Sequence, residues 1–389
     1  MLDLQRQYEP LHGEILEALG HVLKTQQFIL GETVAAFERS ASRQLGVAHA
    51  IGCSSGTDAL WLALASAKIG SGMPLSPGTR GGVPSVITTP FSFFASISSI
   101  LRAGANPLLA DIDPVTFNLD PSAVENVLKA APTSRNVRAI LPVHLYGQCA
   151  DWDAFSRLAQ SYDLLLIEDA AQAWGAAWNG VKAGALGHAA AFSFYPTKNL
   201  SAAGDAGLVA TNSEETAARA RMLRQHGMRH RYHHDEVGWN ARLDGFQGAV
   251  LSIKLKYIDG WNDARRARAR KYDSLFHAAG LADAGPYPAQ GVVLPHVEPQ
   301  AQHVFHQYVI RTARRDELRK FLAERGIGSE VYYPVPLHLQ EALRGLGYNA
   351  GSFPEAERAA REVLALPIFP ELRDDEQETV VTAIAEFLS

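Results

Sequence analysis

The segment Leu164-Leu165-Leu166-Ile167-Glu168-Asp169 sets the fold class of this chain. Its four consecutive apolar residues have the length of a strand that is buried on both faces, and two acids follow directly. The same order, an apolar run and then polar or Gly/Pro residues leading into a helical pattern, recurs at residues 86–89, 107–110 and 139–143. Strands that alternate with helical patterns predict an α/β fold with a mostly parallel central sheet flanked by helices.

The regions on either side of this sheet indicate a chain of two unequal domains. Apolar residues recur at helical spacing over about residues 9–65, which predicts helices at the start of the chain. A long helix is predicted over residues 247–278, followed by strands at 307–310 and 329–332. Because 389 residues exceed one ordinary core, we predict a large domain at 1–250, which includes the N-terminal helices, and a smaller α+β domain at 251–389.

Composition and charge argue against several classes of protein. Hydrophobic residues make up 47% of the chain and the net charge is -5, which offers no general attraction for nucleic acid or an anionic membrane. No stretch approaches the roughly twenty apolar residues of a membrane span, and the N-terminus lacks a secretory signal pattern. Cys53 and Cys149 are the only cysteines, without metal-ligand spacing, so we expect a cytoplasmic protein with neither a disulfide framework nor a zinc site.

Two further segments are expected at the surface. Residues 70–82 are dense in glycine and proline and predict a loop. The one basic run lies inside the predicted long helix, where its side chains would spread around the axis, so we interpret it as a solvated surface. It consists of Arg265, Arg266, Arg268, Arg270 and Lys271.

Three segments place residues of catalytic types where ligands of such sheets bind, beyond the carboxyl ends of the strands. Gly56 and Thr57 open a helical pattern after the apolar residues 50–52. Free backbone N–H groups at a helix start bind phosphate, although the same residue types also serve as plain helix caps. From the apolar runs we predict binding positions just after residues 143, 167 and 192.

The other two segments supply an acid and a lysine. Asp169 follows a buried strand, where an unpaired carboxylate is costly, so something cationic must meet it. A metal ion or a protonated pyridine nitrogen would serve, but no histidine or further carboxylate lies at ligand spacing nearby. Lys198 is the only lysine among small, apolar and hydroxyl residues, and partial burial would lower its pKa as an amine nucleophile requires. An exposed loop lysine is the alternative.

Taken in order, the phosphate motif, the acid and the lysine resemble the DegT-like nucleotide-sugar aminotransferases, which are fold-type I enzymes dependent on pyridoxal 5′-phosphate (PLP). The resemblance covers essentially the whole chain. The matching stretches are 28–31 (FILG), 55–60 (SGTDAL), 142–148 (PVHLYGQ), 168–172 (EDAAQ), 193–200 (SFYPTKNL), 238–244 (GWNARLD) and 333–338 (YPVPLH).

The resemblance implies roles for residues around the cofactor ring. Lys198 would bind PLP covalently and then move a proton between the cofactor and the substrate carbon. Asp169 would pair with the pyridinium nitrogen, Gln172 would contact the ring hydroxyl, and Phe93 would stack on the ring face.

The resemblance also implies how the phosphate is held. Gly56, Thr57 and Ser193 would bind it within one chain. Asn240 would reach it from the neighbouring subunit, which implies a homodimer with shared active sites.

By the same resemblance, the enzyme would move an amino group from L-glutamate to a keto group, at C3 or C4, of a nucleotide-linked sugar. The products would be an amino sugar and 2-oxoglutarate, and Tyr333 and His338 match positions near the sugar pocket. Two alternatives stay open: a keto-cyclitol or related ketone as acceptor, and a chain that binds PLP as a non-catalytic sensor. A lysine at position 198 argues against a sugar 3-dehydratase of the same fold, in which histidine replaces it.

Overall fold

A computed structural model describes residues 1–70, 72, 76–77, 82–130 and 136–389, and at the centre of these residues lies a seven-stranded sheet. Its strands are β1 (His49–Cys53), β2 (Ser85–Thr88), β3 (Asn106–Leu109), β4 (Val137–Ile140), β5 (Leu165–Asp169), β8 (Ala189–Ser193) and β9 (Gly207–Thr211). The spatial order is β1-β9-β8-β5-β4-β2-β3. Neighbours from β8 to β3 pair in parallel, whereas β9 pairs antiparallel with both β1 and β8. The predicted mostly parallel sheet is confirmed.

The four apolar runs quoted above form β2 to β5, as predicted. Strand β1 was not predicted, because its residues lie inside a region that was interpreted as helical. Its sequence HAIGC is short and contains small residues, and α4 (Gly56–Ser66) begins three residues after it ends. The local pattern therefore carries little strand signal, and pairing with β9 supplies the structure.

Helices cover both faces of the sheet. Those before α9 are α1 (Leu4–Tyr8), α2 (His12–Thr25), α3 (Gly31–Leu45), α4, α5 (Ala95–Ala103), α6 (Pro121–Ala130), α7 (Trp152–Tyr162) and α8 (Glu214–Leu223). Helix α4 is apolar around most of its circumference and buries residues 59–64, as expected of a helix enclosed between the sheet and neighbouring helices. The N-terminal helices predicted from residue 9 onward are confirmed as α2 and α3.

The C-terminal part is built from helices around a two-stranded ribbon. Its elements are α9 (Gly245–Lys254), α10 (Ile258–Ala278), β13 (Tyr308–Arg311), α11 (Arg315–Glu324), α12 (Pro354–Glu362), β14 (Val363–Leu366) and α13 (Asp374–Leu388). Strands β13 and β14 pair antiparallel. Two smaller ribbons complete the described chain: β6 (Ala177–Trp178), β7 (Val181–Lys182) and β12 (Ala301–Gln302) form one, and β10 (Met228–His230) and β11 (His233–His234) form the other.

Several expectations for this part need correction. The single helix predicted at 247–278 is wrong, because the chain forms α9 and α10 with a break between them. The strand predicted at 307–310 is confirmed as β13, but residues 329–332 make only an isolated bridge between Glu330 and Ala365. A core formed by α10, α11, α13, β13 and β14 also includes Phe91 and Tyr146 from the first part of the chain. The division at residue 250 stays a prediction.

The basic run on α10 is not the uniform solvated surface that we expected. Arg265 is only 2% exposed, and its Nη1 donates to the carbonyls of Phe305 (3.1 Å), His306 (3.4 Å) and Ile368 (3.1 Å). It points inward because the helix turns this position toward two loops of the C-terminal part. Lys271, by contrast, is paired with Glu378 at the surface.

Three smaller points complete the comparison with the sequence. Within the glycine-rich and proline-rich segment 70–82, residues 71, 73–75 and 78–81 lie outside the described residues. Cys53 and Cys149 are buried free thiols. Across the described ranges, none of the helices is both long enough and apolar enough to cross a membrane.

Candidate active site

A cavity of about 860 Å³ lies beyond the carboxyl ends of β4, β5 and β8. Val143, Asp169 and Ser193 line it, one from each of these strand ends. This is the position predicted from the apolar runs, since parallel strands bring their carboxyl ends to one edge of a sheet.

The first turn of α4 forms one end of the cavity. Ser55 caps the helix by accepting a hydrogen bond from the Asp58 backbone N–H at 3.1 Å, and Gly56 and Thr57 line the cavity. A Cβ atom at Gly56 would lie 2.5 Å from the Cβ of Ser193, so only glycine lets the helix start approach β8 this closely. Backbone N–H groups at a helix start and two hydroxyls make this end suited to a phosphate.

A charged and aromatic cluster holds this turn of α4 in place. The Asp58 carboxylate accepts from Ser55 Oγ at 3.0 Å and pairs with Arg102 Nη1 at 2.5 Å. The Arg102 guanidinium lies 4.4 Å from the ring centroid of Trp61 and 4.8 Å from that of Trp239. These contacts hold the first turn of α4 in one conformation. A turn that is already ordered loses less conformational entropy when a ligand binds than a flexible turn would.

Asp169 is buried, with 3% of its surface exposed, at the end of β5. Its Oδ2 accepts from Ser96 Oγ at 2.7 Å and its Oδ1 accepts from the Ala171 backbone N–H at 3.2 Å. Burial raises the pKa of this carboxyl above its ordinary value. Among the residues that the structure describes, no lysine or arginine forms an ion pair with it, so a cationic ligand atom would be stabilised here.

The adjacent acid, Glu168, points to the other side of the strand and has a structural role. Its carboxylate accepts from the backbone N–H groups of Gly184 (2.7 Å), Leu186 (3.0 Å) and Gly187 (2.8 Å). His144 Nε2 lies 3.1 Å from the same carboxylate. The two adjacent acids therefore face different surroundings: Glu168 is held by backbone N–H groups, and Asp169 lines the cavity.

Lys198 follows β8 and lines the cavity as a half-buried side chain. Burial lowers the pKa of its ammonium to about 8, and the charge of Asp169 opposes part of that shift. An appreciable fraction of Lys198 is therefore a free amine near neutral pH, as a nucleophile requires.

Aromatic and amide side chains line the middle of the cavity. Phe93 is 59% exposed, and its ring centroid lies 6.3 Å from that of Tyr333. Gln172 Nε2 donates to Tyr333 Oη at 3.1 Å, and Gln172 Oε1 accepts from the Tyr146 backbone N–H at 2.6 Å. These bonds fix the orientation of the Gln172 amide. A flat ring bound between Asp169 and Phe93 would therefore contact side chains that are already in position.

Two of the residues singled out from the sequence do not reach the cavity in this chain. Asn240 is exposed and accepts from Arg242 Nε at 3.0 Å. His338 is buried outside the cavity, with Nε2 3.0 Å from Glu357 Oε1 and its ring 4.8 Å from that of Phe353. The ring of His338 packs within the C-terminal part of this chain, and its position near the sugar pocket stays a prediction.

Ser96, Arg265 and His306 are among the residues of the cavity wall that sequence reasoning missed. Ser96 carries no signal beyond being a hydroxyl in an apolar helix. Arg265 was hidden in a basic run, and His306 in an apolar segment before a strand. Their positions depend on chain segments that meet only in three dimensions.

Residues 10–385 match the model of the DegT/DnrJ/EryC1/StrS aminotransferase family. The chain belongs to this family. It is therefore an aminotransferase of the PLP-dependent type, and the resemblance seen in the sequence is confirmed.

Three relatives match this chain over nearly its whole length. The "Pleiotropic regulatory protein" of Geobacillus stearothermophilus is 47% identical, with 100% of this chain and 98% of that protein covered. The dTDP-3-amino-3,4,6-trideoxy-alpha-D-glucose transaminase of Streptomyces venezuelae is 41% identical (99% and 95% covered). The UDP-N-acetyl-3-dehydro-alpha-D-glucosamine 3-aminotransferase of Acidithiobacillus ferrooxidans is 40% identical (100% and 97% covered).

Solved structures of family members share the fold. DesV of S. venezuelae, solved in complex with a ketimine intermediate, aligns with a TM-score of 0.90 at 41% identity, covering 100% of this chain and 97% of that one. NtdA of Bacillus subtilis, solved with the bound cofactor PMP, aligns with a TM-score of 0.81 at 29% identity (96% and 82% covered). The fold-type I assignment is thereby confirmed.

The residues of the cavity fit PLP on their own geometry. The α4 start with its close glycine suits the phosphate, the buried Asp169 suits the ring nitrogen, and Lys198 suits the aldehyde carbon. No group of three or more metal-ligating side chains occurs within the described ranges.

Proposed function

We propose that this aminotransferase moves an amino group from L-glutamate to the C3 keto group of a nucleotide-linked sugar, giving an amino sugar and 2-oxoglutarate. The observation that carries the proposal is the convergence of Lys198, Asp169 and the α4 start in one cavity. The choice of C3 follows the names of the Streptomyces and Acidithiobacillus relatives, both of which act at that carbon.

Each residue then has a defined task. Bound PLP supplies an electron sink for the substrate carbon. The amine of Lys198 takes a proton from that carbon and returns one, and its lowered pKa suits both directions. The Asp169 carboxylate keeps the ring nitrogen protonated, while Ser96 holds that carboxylate at 2.7 Å.

The remaining cofactor contacts hold and orient it. Gly56, Thr57 and Ser193 bind the phosphate, Phe93 covers one face of the ring, and Gln172 contacts the ring hydroxyl. These assignments combine the positions of the side chains on the cavity wall with the family pattern.

The cavity also suits two substrates in turn. Its volume of about 860 Å³ is near the upper end of ordinary ligand pockets, so a cofactor and a sugar can be held together. Arg265 places a buried positive charge in the wall, and its Nη1 donates to three backbone carbonyls rather than to a carboxylate. A carboxylate of glutamate would compensate that charge, whereas the hydroxyl of Tyr333 suits a sugar.

A homodimer with shared sites belongs to the same proposal. Leu16, Leu23 and Ile29 are 53%, 55% and 47% exposed on the N-terminal helices and the turn after them, an apolar surface that a second copy would cover. Asn240 is exposed outside its own cavity, as a residue supplied to the partner's phosphate would be. A solution mass equal to the 42.2 kDa of one chain would contradict this dimer. The buried free thiols support placing it in the cytoplasm.

The reaction is tested by supplying glutamate and a panel of ketones and following 2-oxoglutarate. The panel contains nucleotide-linked sugars with the ketone at C3 or at C4, and keto-cyclitols without a nucleotide. We expect turnover with the C3-keto sugars and, in the Lys198→Ala variant, a loss of at least about a thousandfold together with the visible absorbance of bound cofactor.

Other outcomes would point to the alternatives. Turnover with C4-keto sugars alone would refute the position, and turnover with keto-cyclitols alone would refute the substrate class. A protein that binds PLP at Lys198 but aminates no ketone would instead support a sensor, the role that the name of the Geobacillus relative suggests.

A further inference from the structure

The phosphate end of the cavity carries an acid of its own. Asp58 is the third residue of α4, so its carboxylate lies in the first turn of the helix whose start we assign to the phosphate. The positive end of a helix dipole stabilises an anion, but two anions at the same helix start repel each other. An Asp58 carboxylate without a counter-charge would therefore weaken the binding of a phosphate there.

The hydroxyls of the two serines before α4 are bonded to this acid. Asp58 Oδ2 accepts from Ser55 Oγ at 3.0 Å and from Ser54 Oγ, and the Asp58 backbone N–H donates to Ser55 Oγ at 3.1 Å. A serine hydroxyl has one hydrogen, and Ser55 gives it to Asp58. At this turn, a phosphate is then met by the Thr57 hydroxyl and by N–H groups of the first helical residues, which have no carbonyl partner within the helix.

Arg102 on α5 supplies the opposite charge. Its Nη1 lies 2.5 Å from Asp58 Oδ1, and the two side chains are 26% and 17% exposed, so solvent screens the pair only in part. The guanidinium is also held between two indole rings, at 4.4 Å from the centroid of Trp61 and 4.8 Å from that of Trp239. Both side chains of the ion pair lie behind the cavity wall rather than in it.

We propose that Arg102 sets the affinity of the α4 start for the cofactor phosphate by neutralising Asp58. It is a positioning residue that acts through the acid. The inference rests on the proposed contact of Gly56 and Thr57 with the phosphate. With Arg102 in place, the carboxylate orders the two serines without repelling the ligand, whereas without Arg102 the same carboxylate competes with the phosphate for the positive end of α4.

A purely structural ion pair would behave differently. If the pair only held the turn in shape, removing either partner would weaken phosphate binding to a similar extent. If its charges matter, the two single variants act in opposite directions. Arg102→Met leaves an uncompensated carboxylate beside the phosphate site, and Asp58→Asn leaves an uncompensated guanidinium there.

The first experiment measures binding of pyridoxamine 5′-phosphate (PMP) to the cofactor-free full chain by equilibrium dialysis. Arg102→Met keeps an apolar side chain against the tryptophans and should weaken PMP binding by about tenfold, the effect of one partly screened charge. Asp58→Asn should tighten binding by about threefold or more, because Arg102 then attracts the phosphate. The double variant should return to within about threefold of wild type, since both charges are gone.

A lysine at position 102 separates charge from shape. Arg102→Lys keeps a positive charge beside Asp58 but loses the flat contact with the two indole rings. We expect PMP affinity within about threefold of wild type. A loss as large as in Arg102→Met would show that the guanidinium acts through packing and would overturn the proposal.

The second experiment compares PLP with pyridoxal, which has the same ring and aldehyde but no phosphate. Arg102→Met should lower the affinity for PLP by about tenfold and leave that for pyridoxal unchanged. The matched control is Arg219→Met. Arg219 pairs with Glu236 and donates from Nη1 to the Ala65 carbonyl near the other end of α4 at 2.6 Å, so its loss should change neither affinity.

Three further results would overturn the proposal: equal losses of PMP affinity in Arg102→Met and Asp58→Asn, a loss in Arg102→Met that the double variant does not restore, or equal losses for PLP and pyridoxal. If Arg102→Met does not fold, Asp58→Asn decides, and a failure to tighten PMP binding would overturn the proposal. Wild-type protein that binds PLP no more tightly than pyridoxal would instead contradict the phosphate contact itself, whatever the arginine variants do.

Discussion

Two walls enclose the cavity, and the chain builds them differently. The sheet wall is made of Gly56, which opens α4, Asp169 and Ser193, which end strands, and Lys198, which lies in the turn after β8. The C-terminal wall is made of Arg265, His306 and Tyr333, which lie on a helix and two loops. Each of the three lies at least 96 residues after Asp169 in the sequence (265 minus 169). The residues that we propose bind the cofactor thus come from short local motifs, whereas the C-terminal wall is assembled from segments that are distant in sequence.

After Lys198→Ala, the largest effect should come from another residue of the sheet wall, in the variant Asp169→Asn. The amide keeps the size and can accept from Ser96, but it removes the buried negative charge that we propose meets the ring nitrogen. We expect the single-turnover rate with glutamate to fall by about 100- to 1,000-fold, the usual cost of one electrostatic contact in an active site. Absorbance of the bound cofactor and rapid mixing would measure it.

The matched control for that variant is Glu168→Gln on the adjacent residue. Its amide would turn a donor toward backbone N–H groups that need an acceptor, so the free energy of unfolding should fall by about 3 kcal/mol. The folded fraction should react with glutamate nearly as fast as wild type. A large loss of rate in Glu168→Gln, or a rate within fivefold of wild type in Asp169→Asn, would contradict the assignment of a structural role to Glu168 and a cofactor contact to Asp169.

A smaller effect is expected for Gly56→Ala at the phosphate end. The new Cβ would lie 2.5 Å from Ser193 Cβ, so the start of α4 must move away from β8. We expect PLP affinity to weaken by about tenfold, which corresponds to roughly 1.4 kcal/mol. Gly260→Ala is the control, because nothing lies within 4 Å of a Cβ at Gly260, and equal affinities in the two variants would argue against a tight phosphate site.

The smallest effect should come from the C-terminal wall, in Tyr333→Phe. The change removes the phenol oxygen that accepts from Gln172 at 3.1 Å but leaves the ring in place. We expect KM for the keto-sugar to rise by about fivefold, the worth of one neutral hydrogen bond, with PLP affinity and KM for glutamate unchanged. A loss of PLP affinity in Tyr333→Phe as large as that in Gly56→Ala would contradict the assignment of the cofactor to the sheet wall and of the sugar to the C-terminal wall.

The same division explains what could be predicted from the sequence. Asp169 and Lys198 were recognisable because each follows a short apolar run. The change from apolar to polar residues marks the end of a buried strand and is visible in a few neighbouring positions. Strand β1 was missed because its pairing with β9, not local pattern, decides it. The break between α9 and α10 was missed because residues 255–257 contain no glycine or proline to mark it. Arg265 and His306 gave no signal, since their burial depends on the loop at 303–306 and on residue 368 meeting α10.

The two acids at the end of β5 have a consequence for how the chain finds its fold. Side chains alternate across a strand, so Glu168 faces backbone N–H groups while Asp169 faces the cavity. A slip of β5 by one residue that brought Glu168 to the position of Asp169 would bring Ile167 to the position of Glu168, leaving the N–H groups of Gly184 and Gly187 without an acceptor and placing the longer acid in the cavity. The two acids thus destabilise misregistered pairing during folding, and the native register is the one that also places Asp169 in the cavity.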